Sequence, residues 1–519
     1  MEGELFMKKV VSLIIALMLC LSMCVSLADV SLPLFEEPVT IRIFSNKNSP
    51  IIYEDNDIFE DFQKETGVNL EIEVVDASDF DEQLNLLIAG GVLPDAIMGA
   101  ASFTTGQLLK YNASGTFIDL ADLIAEYAPN LSARMEANSA IADAITLPNG
   151  QIASLPYFQM HAENGECPNL MHYINIVWLD KLGLESPTTL DEFYDVLVAF
   201  RDGDPNGNGK ADEVALTFNN LDGLRKMSTI CGTMLGGQND YNLFLEDGVV
   251  SYVPLTQEYK DYVTFLRKCY EEGIMEPDCF TMSGSQISAK AQDTDAVYGS
   301  FLLNASFSLV GYDRMFDYDV VAPFEHNGKY YVDGRVYANP GQLVITSACE
   351  HPEYVMKWAN LFYDEEYGKI VWMGHEGVSY QYNEDGSWNW IYTEENPDTG
   401  SVRESQTFQG YRWLWNCPDD WFKLNDATEK PVNEQRSYYA MNFPGACRLP
   451  MPTLYYTDEA AKEMAILSAD LNNYETKMFV SFITGDASID DDWDAFCNEL
   501  INMGAEKLVA LGQNAYDNR

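Results

Sequence analysis

The sequence predicts an α/β protein in more than one lobe, on three observations: 519 residues, strand and helix patterns that alternate along the chain, and a globular composition. That length exceeds one ordinary domain, so two lobes with decorations are expected. Hydrophobic residues make up 47%, aromatic ones 13% and charged ones 22%, which supplies large cores and excludes a disordered chain.

Residues 39–44 alternate apolar and polar side chains as a strand does. Residues 57–66 follow with Ile58, Phe59 and Phe62 on one helical face, stopped by Gly67. Residues 68–74 alternate again, 81–89 read as a helix ending at Gly90-Gly91, and 96–98 restore a short strand. This rhythm is that of an open parallel sheet. Ligands in such sheets sit beyond the carboxyl ends of the strands. Residues 45–48, with Asn46, and 99–102 are therefore expected to line a cleft. Amphipathic helices follow at 117–127, at 190–200 behind the capping spacing of Thr189 and Glu192, and at 258–272. Past the hairpin turn Asp385-Gly386 the chain is loop-rich and aromatic to about residue 452, and helices resume from 458.

Acidic residues number 81 against 31 basic ones, for a formal charge of -50. Such a surface repels phosphate backbones and excludes nucleic acid as a partner. Most of these carboxylates serve to solvate the outer face. Lys8 and Lys9 precede an apolar run over 10–27, and Ser26-Leu27-Ala28 has the small-x-small pattern of a cleavage site. Residues 1–28 thus read as a signal peptide and the protein as exported, associated with the cell surface. Met23 stands before Cys24 where a lipidation signal needs a small residue, so the sequence does not support lipidation. Beyond the leader, cysteines lie at 167, 231, 269, 279, 349, 417, 447 and 497, without a CxxC pair, and their pairing is open.

The sharpest local signal runs from Asp202 to Glu213, with Gly207 at the sixth of twelve positions. Calcium takes six to eight hard oxygens in a wrapped loop. Asp202, Asp204 and Asn206 would give side-chain oxygens, Asn208 its carbonyl, and Glu213 a bidentate carboxylate. Lys210 falls at the ninth position, where a cation cannot ligate. Residues 214–218 read as a strand in place of a second helix, so the expected Ca2+ is a structural staple and not a switch.

The chain resembles the extracellular solute-binding proteins of family 1, in their larger carbohydrate-type branch. The carriers are Ala89-Gly-Gly-Val-Leu-Pro94-Asp95, Leu147-Pro-Asn-Gly150 through Tyr157, Trp178-Leu-Asp-Lys-Leu-Gly183, and Pro187 through Phe193. Asp204 through Glu213, Tyr270-Glu-Glu-Gly273, His351-Pro-Glu353 and Gln513 through Asp517 continue the order. The resemblance implies a type II periplasmic-binding-protein-like fold: two α/β lobes joined by a hinge, with the ligand caught between them. Lobe I is expected from 29–155 and about 290–345, lobe II from about 156–289 and 346–519. It also implies a monomer that hands a small-molecule carbohydrate to an ABC transporter permease.

Sugars pack their C–H faces on aromatic rings and need fixed polar partners for their hydroxyls. Trp413 and Trp415, two apart and flanked by Phe408 and Trp421, form the densest aromatic cluster. Asp95, Tyr157, Asn339, Trp372, Glu376 and Tyr380 are the remaining candidates, each a polar residue after a strand or beside a ring. Against each of these stands the plain reading of a packed aromatic minicore or an ordinary surface loop. The rival classes are a secreted glycoside hydrolase, which needs two carboxylates about 5 to 10 Å apart, and a binder of peptides or another solute on the same fold. No GxSxG, HExxH, P-loop or dinucleotide fingerprint is present, and five histidines leave little material for a catalytic zinc, so no enzyme is expected.

Overall fold

The computed structural model describes residues 31–518 apart from 48–55, 57, 77–78, 100–102, 159–167, 236–240, 293–294, 296, 336–337, 409–413, 415–417 and 426–428. The signal-peptide reading of 1–28 lies outside the described residues. In chain order the first strands are β1 (Val39–Lys47), β2 (Val68–Asp76), β3 (Ala96–Met98), β4 (Leu155–Phe158), β5 (Met171–Asn175), β6 (Val214–Leu216) and the hairpin β7 (Leu243–Glu246) with β8 (Val249–Tyr252). Then come β9 (Tyr298–Leu303), β10 (Tyr318–Val320), β11 (Val332–Asp333), β12 (Ala338–Ile345), β13 (Tyr380–Tyr382), β14 (Trp388–Trp390) and β15 (Cys447–Arg448).

Two sheets define two lobes. The first has the order β2-β1-β3-β12-β4, with β1 parallel to β2 and β3, and β12 antiparallel to β3 and β4. The second has the order β10-β5-β9-β6, with β6 and β9 parallel and β5 antiparallel to β9 and β10. Alternating strands bury one set of side chains under helices on each face, which is why Ile41, Ile43 and Leu70 share one core and Phe44 and Ile97 another. The expected helices stand at Phe59–Thr66, Phe80–Gly90, Leu190–Asp202 and Gln257–Glu271. The helix expected over 117–127 begins only at Ala121, because Phe117 bridges to Thr346 at the sheet margin. The aromatic stretch is less loop-like than its composition suggests, with helices at Thr399–Gln406 and Glu429–Asn442.

The chain divides between the lobes differently from the expected boundaries. Strands β9 and β10 pair with β5, so residues 298–320 build the second sheet and not the first lobe. Residues 346–424 go the other way: Trp358, Phe362, Trp388 and Trp421 share a core with Ile41 and Phe158 of the first lobe. Apolar burial assigns them, because their partners are first-sheet side chains. The helices from 458 onward pack with β6, β7 and β8 in the second lobe. The chain therefore passes between lobes three times: from β4 to β5, from β11 to β12, and from Leu424 to the helix Glu429–Asn442. Cys231, Cys269, Cys279, Cys349, Cys447 and Cys497 are all free thiols. Among the described residues no helix is long and apolar enough to cross a membrane.

Candidate functional site

The connections fix which end of each sheet lies on the side of the other lobe. β4 leaves the first sheet at the end where β1 and β3 also terminate, and β12 enters beside it, with Phe158 opposite Ala338. In the second sheet β5 begins opposite Leu303, the last residue of β9. The carboxyl ends of β1 and β3 and those of β6 and β9 thus lie on the connector side of their sheets, while residues 48 and 100–102 of the expected cleft loops lie outside the described residues.

Asn46, Tyr157 and Asn339 lie at this same end of the first sheet. Tyr157 pairs with Asn339 across β4 and β12. Asn46 is buried beside Gly99, where an added Cβ would fall 2.4 Å from its Oδ1, so only glycine lets the two strand ends approach. Gln342 donates to the Gly99 carbonyl at 2.9 Å, and Ser154 Oγ accepts from the Gly341 amide at 2.9 Å, which holds the bulge between Asn339 and Leu343. Ser45, next to Asn46, keeps a buried Oγ without a partner. Asp95 is not part of this group. It precedes β3 at the opposite end of the sheet, where it accepts from the Arg42 amide at 2.8 Å and from Arg42 Nη2 at 2.8 Å. That ion pair pins β1 to β3, a structural task.

The second sheet contributes residues that the sequence reading passed over. Beyond the parallel strands β6 and β9 stand Asn219, Asn220 and the exposed Asn304. Phe307 follows, with Tyr312 stacked on it at 4.8 Å and an interplanar angle of 18°. Tyr312 is 58% exposed, so this pair offers a ring face to a solute. The strand-end rule that located Asn46 applies equally to β6 and β9 and would have found them.

The aromatic candidates of the first lobe are mostly core. Trp372, on the helix Glu365–Met373, lies 5.2 Å from Trp421, which in turn packs on Trp388 and Trp390. Trp388 Nε1 donates to the Asp420 carbonyl at 2.6 Å. The Asp420 side chain accepts from Tyr382 at 2.5 Å and pairs with Lys369 at 2.8 Å and with Lys423. Burial pushes this carboxyl up, but those three donors outweigh it and hold it well below the usual carboxylate range. Tyr380 is buried against Trp388, and Glu376 is exposed on the turn before it. Trp413 and Trp415 lie outside the described residues, and Leu414 between them is fully buried in the same core.

The loop after the helix Leu190–Asp202 closes on its own side chains from Asp204 onward, two residues later than expected. Asp202 is the last helical residue, 60% exposed and paired with Arg201 at 2.7 Å, so it turns away from the loop. Asp204, with φ +47°, accepts from the Gly209 amide at 3.2 Å, and Gly207 turns the chain at φ +75°. Asp212, unassigned from sequence, accepts from Asn206 Nδ2 at 2.8 Å and Asn208 Nδ2 at 3.0 Å. Glu213 is 7% exposed and its Oε1 has no partner; burial, with Asp212 and Asp204 nearby, raises its carboxyl above the ordinary value. Asp204, Asn206, Asn208, Asp212 and Glu213 form an all-oxygen donor set of the kind calcium selects. Among the described residues no three His, Cys, Asp or Glu groups already converge in metal-holding geometry. Closing the shell requires the amides of Asn206 and Asn208 to turn their oxygens inward.

The family described as "Bacterial extracellular solute-binding protein" matches residues 53–224. The fructooligosaccharide ABC transporter substrate-binding protein FusA of Streptococcus pneumoniae is 28% identical over 95% of this chain and 92% of its own. The structure of FusA in complex with kestose aligns at a TM-score of 0.69 and 26% identity, covering 92% of this chain and 99% of that one. A second FusA structure, an EF-hand mutant in complex with fructo-nystose, aligns at 0.68 with the same identity and coverage. A human-milk-oligosaccharide-binding solute-binding protein of Bifidobacterium longum infantis shares the fold at a TM-score of 0.77 and 20% identity, covering 93% of this chain and 99% of that one.

Proposed function

We propose that this chain, which belongs to the bacterial extracellular solute-binding proteins, is the exported binding component of an ABC importer and captures a neutral oligosaccharide between its lobes. The observation that carries this reading is the pair of sheets whose strand ends both lie on the side of the connecting segments, in a chain similar to FusA along nearly its whole length. The side chains gathered there suit an uncharged sugar. Asn46, Tyr157 and Asn339 on one side, and Asn219 and Asn304 on the other, offer amides and a phenol to hydroxyls. Phe307 and Tyr312 offer a stacked platform to a pyranose or furanose face. Closure of the lobes then excludes water from the sugar and presents one joined surface to a permease. The ligand leaves chemically unchanged.

The 204–213 loop would hold one calcium ion through Asp204, Asn206, Asn208, Asp212 and Glu213. When bound, the ion supplies charge balance to a buried carboxylate and no chemistry on the sugar. Glu213 Oε1 then has the partner it otherwise lacks, and the start of β6 is fixed to the end of the helix Leu190–Asp202.

The test is titration calorimetry of the exported chain with neutral oligosaccharides, including kestose and nystose, alongside mass analysis of the incubated sugars. Saturable binding with intact sugar is the expected result. A cleaved product would replace this reading with that of a glycoside hydrolase, and binding of peptides but no sugar would move it to another solute.

A further inference from the structure

Lys210 poses a problem for a cation loop, because an ammonium beside a bound divalent ion repels it. The structure shows what stands against it. Asp295, from the connection that leads into β9, places its Oδ2 3.7 Å from Lys210 Nζ. The same oxygen accepts from Asn208 Nδ2 at 3.1 Å. Two features of the loop are thus met from a separate chain segment, 87 residues away. The lysine charge faces a carboxylate, and the Asn208 amide nitrogen is shared between Asp295 and Asp212 of the loop. That nitrogen donates to Asp212 at 3.0 Å, and the amide oxygen accepts from the Lys210 backbone at 2.8 Å, so Asp295 restrains the Asn208 amide from a second side. The buried, unpartnered Oε1 of Glu213 marks that interior as a place for a ligand.

The position of Asp295 in the fold gives the contact a second meaning. It lies just before β9, as Glu213 lies just before β6, and the two strands are adjacent and parallel, with Val214 opposite Tyr298. The loop therefore gathers the entry ends of the strands whose exit ends carry Asn219, Asn304 and Phe307.

We propose that Asp295 is an outer-sphere residue of the cation site, which restrains the Asn208 amide, neutralises Lys210 and thereby ties β9 to the loop that opens β6. This rests on the calcium reading of residues 204–213. Outer-sphere partners of ligating residues typically account for roughly 10- to 100-fold in metal affinity. Loss of Asp295 should weaken calcium without abolishing it, and should free β9 selectively.

The experiment uses the full exported chain, with calcium alone as the probe. Calorimetry gives the affinity, and hydrogen exchange with and without calcium reports peptides covering 214–216 and 298–303. In the unaltered protein calcium should protect both segments. In Asp295→Ala, affinity should fall about 10- to 100-fold, with protection kept at 214–216 and lost at 298–303. Asp295→Glu, which keeps the charge, should recover most of the affinity. Unchanged affinity and unchanged β9 protection in Asp295→Ala, while the parent binds calcium, overturn this inference and leave the calcium reading intact. A parent protein that takes up no calcium, or a Glu213→Gln variant that binds as well as the parent, overturns the calcium reading and this inference with it.

Discussion

Trp372, Trp388, Trp390 and Trp421 of the first lobe are 5%, 0%, 6% and 1% exposed, whereas Tyr312 of the second lobe, stacked on Phe307, is 58% exposed. The first group is dense in sequence and closed to solvent; the second is a sparse pair set just past a strand end. The difference teaches that clustering of rings along a chain measures how much apolar area a segment must hide. Availability to a sugar depends instead on where the backbone stops a strand.

The hardest blow to that contrast comes from Trp421→Ala. Removing a ring from the middle of four should cost about 3–5 kcal/mol in urea unfolding. The folded variant should keep the parent's affinity for oligosaccharide. A tenfold loss of affinity in folded protein would put the cluster into the binding site and erase the distinction.

The scaffold beneath the exposed pair can be tested through pH. His172 of β5 lies against the Phe193 ring and the Ser300 hydroxyl of β9, and burial pushes its pKa down to about 3. The unfolded chain, with an ordinary imidazole near 6.5, takes up that proton first. The residue's contribution is therefore fully present above pH 6.5 and is lost as pH falls toward 3, by up to about 1.4 kcal/mol per unit. Urea unfolding between pH 7 and pH 4 should show the parent losing stability more steeply than His172→Gln. Parallel curves would mean that the folded state accepts the proton.

Tyr312→Ala gives a smaller effect of opposite kind. Loss of stacking should weaken sugar affinity by about 2- to 10-fold, the equivalent of roughly 0.5–1.5 kcal/mol. Its unfolding midpoint should scarcely move, since the side chain is mostly in water. Calorimetry with the best oligosaccharide reads the change, and a large stability loss without an affinity loss would make the pair a second core. Asp95→Asn should do least, since partly exposed ion pairs contribute about 1 kcal/mol or less, and it should leave sugar affinity untouched.

Signals carried by neighbours in the chain were legible before the fold was known. The alternation of 39–44 and 68–74 marked β1 and β2, and the Gly- and Asn-rich run before β6 marked a tightly wound loop. What sequence missed depends on distant partners. Asp202 looked like a ligand until helix geometry turned it toward Arg201. Asp212 became visible through the amides of Asn206 and Asn208, and Asp295 through a contact from the connection before β9. Asp95 follows a Gly-Gly turn like a cleft residue, yet strand direction places it at the far end of the sheet. The lobe boundaries went astray for the same reason, since β9 and β12 look alike in sequence and differ only in which sheet receives them.

The insertion of β12 between β3 and β4 also dictates an order of assembly. β4 has no neighbour in its sheet until Ala338–Ile345 arrives, roughly half the second lobe later in the chain. A ribosome or translocon releasing the polypeptide from its amino end would deliver an incomplete first sheet and then a second sheet able to close on β5, β6, β9 and β10. Maturation of the amino-terminal half should therefore finish after that of the middle, and a chain cut before residue 338 should leave β4 unpaired.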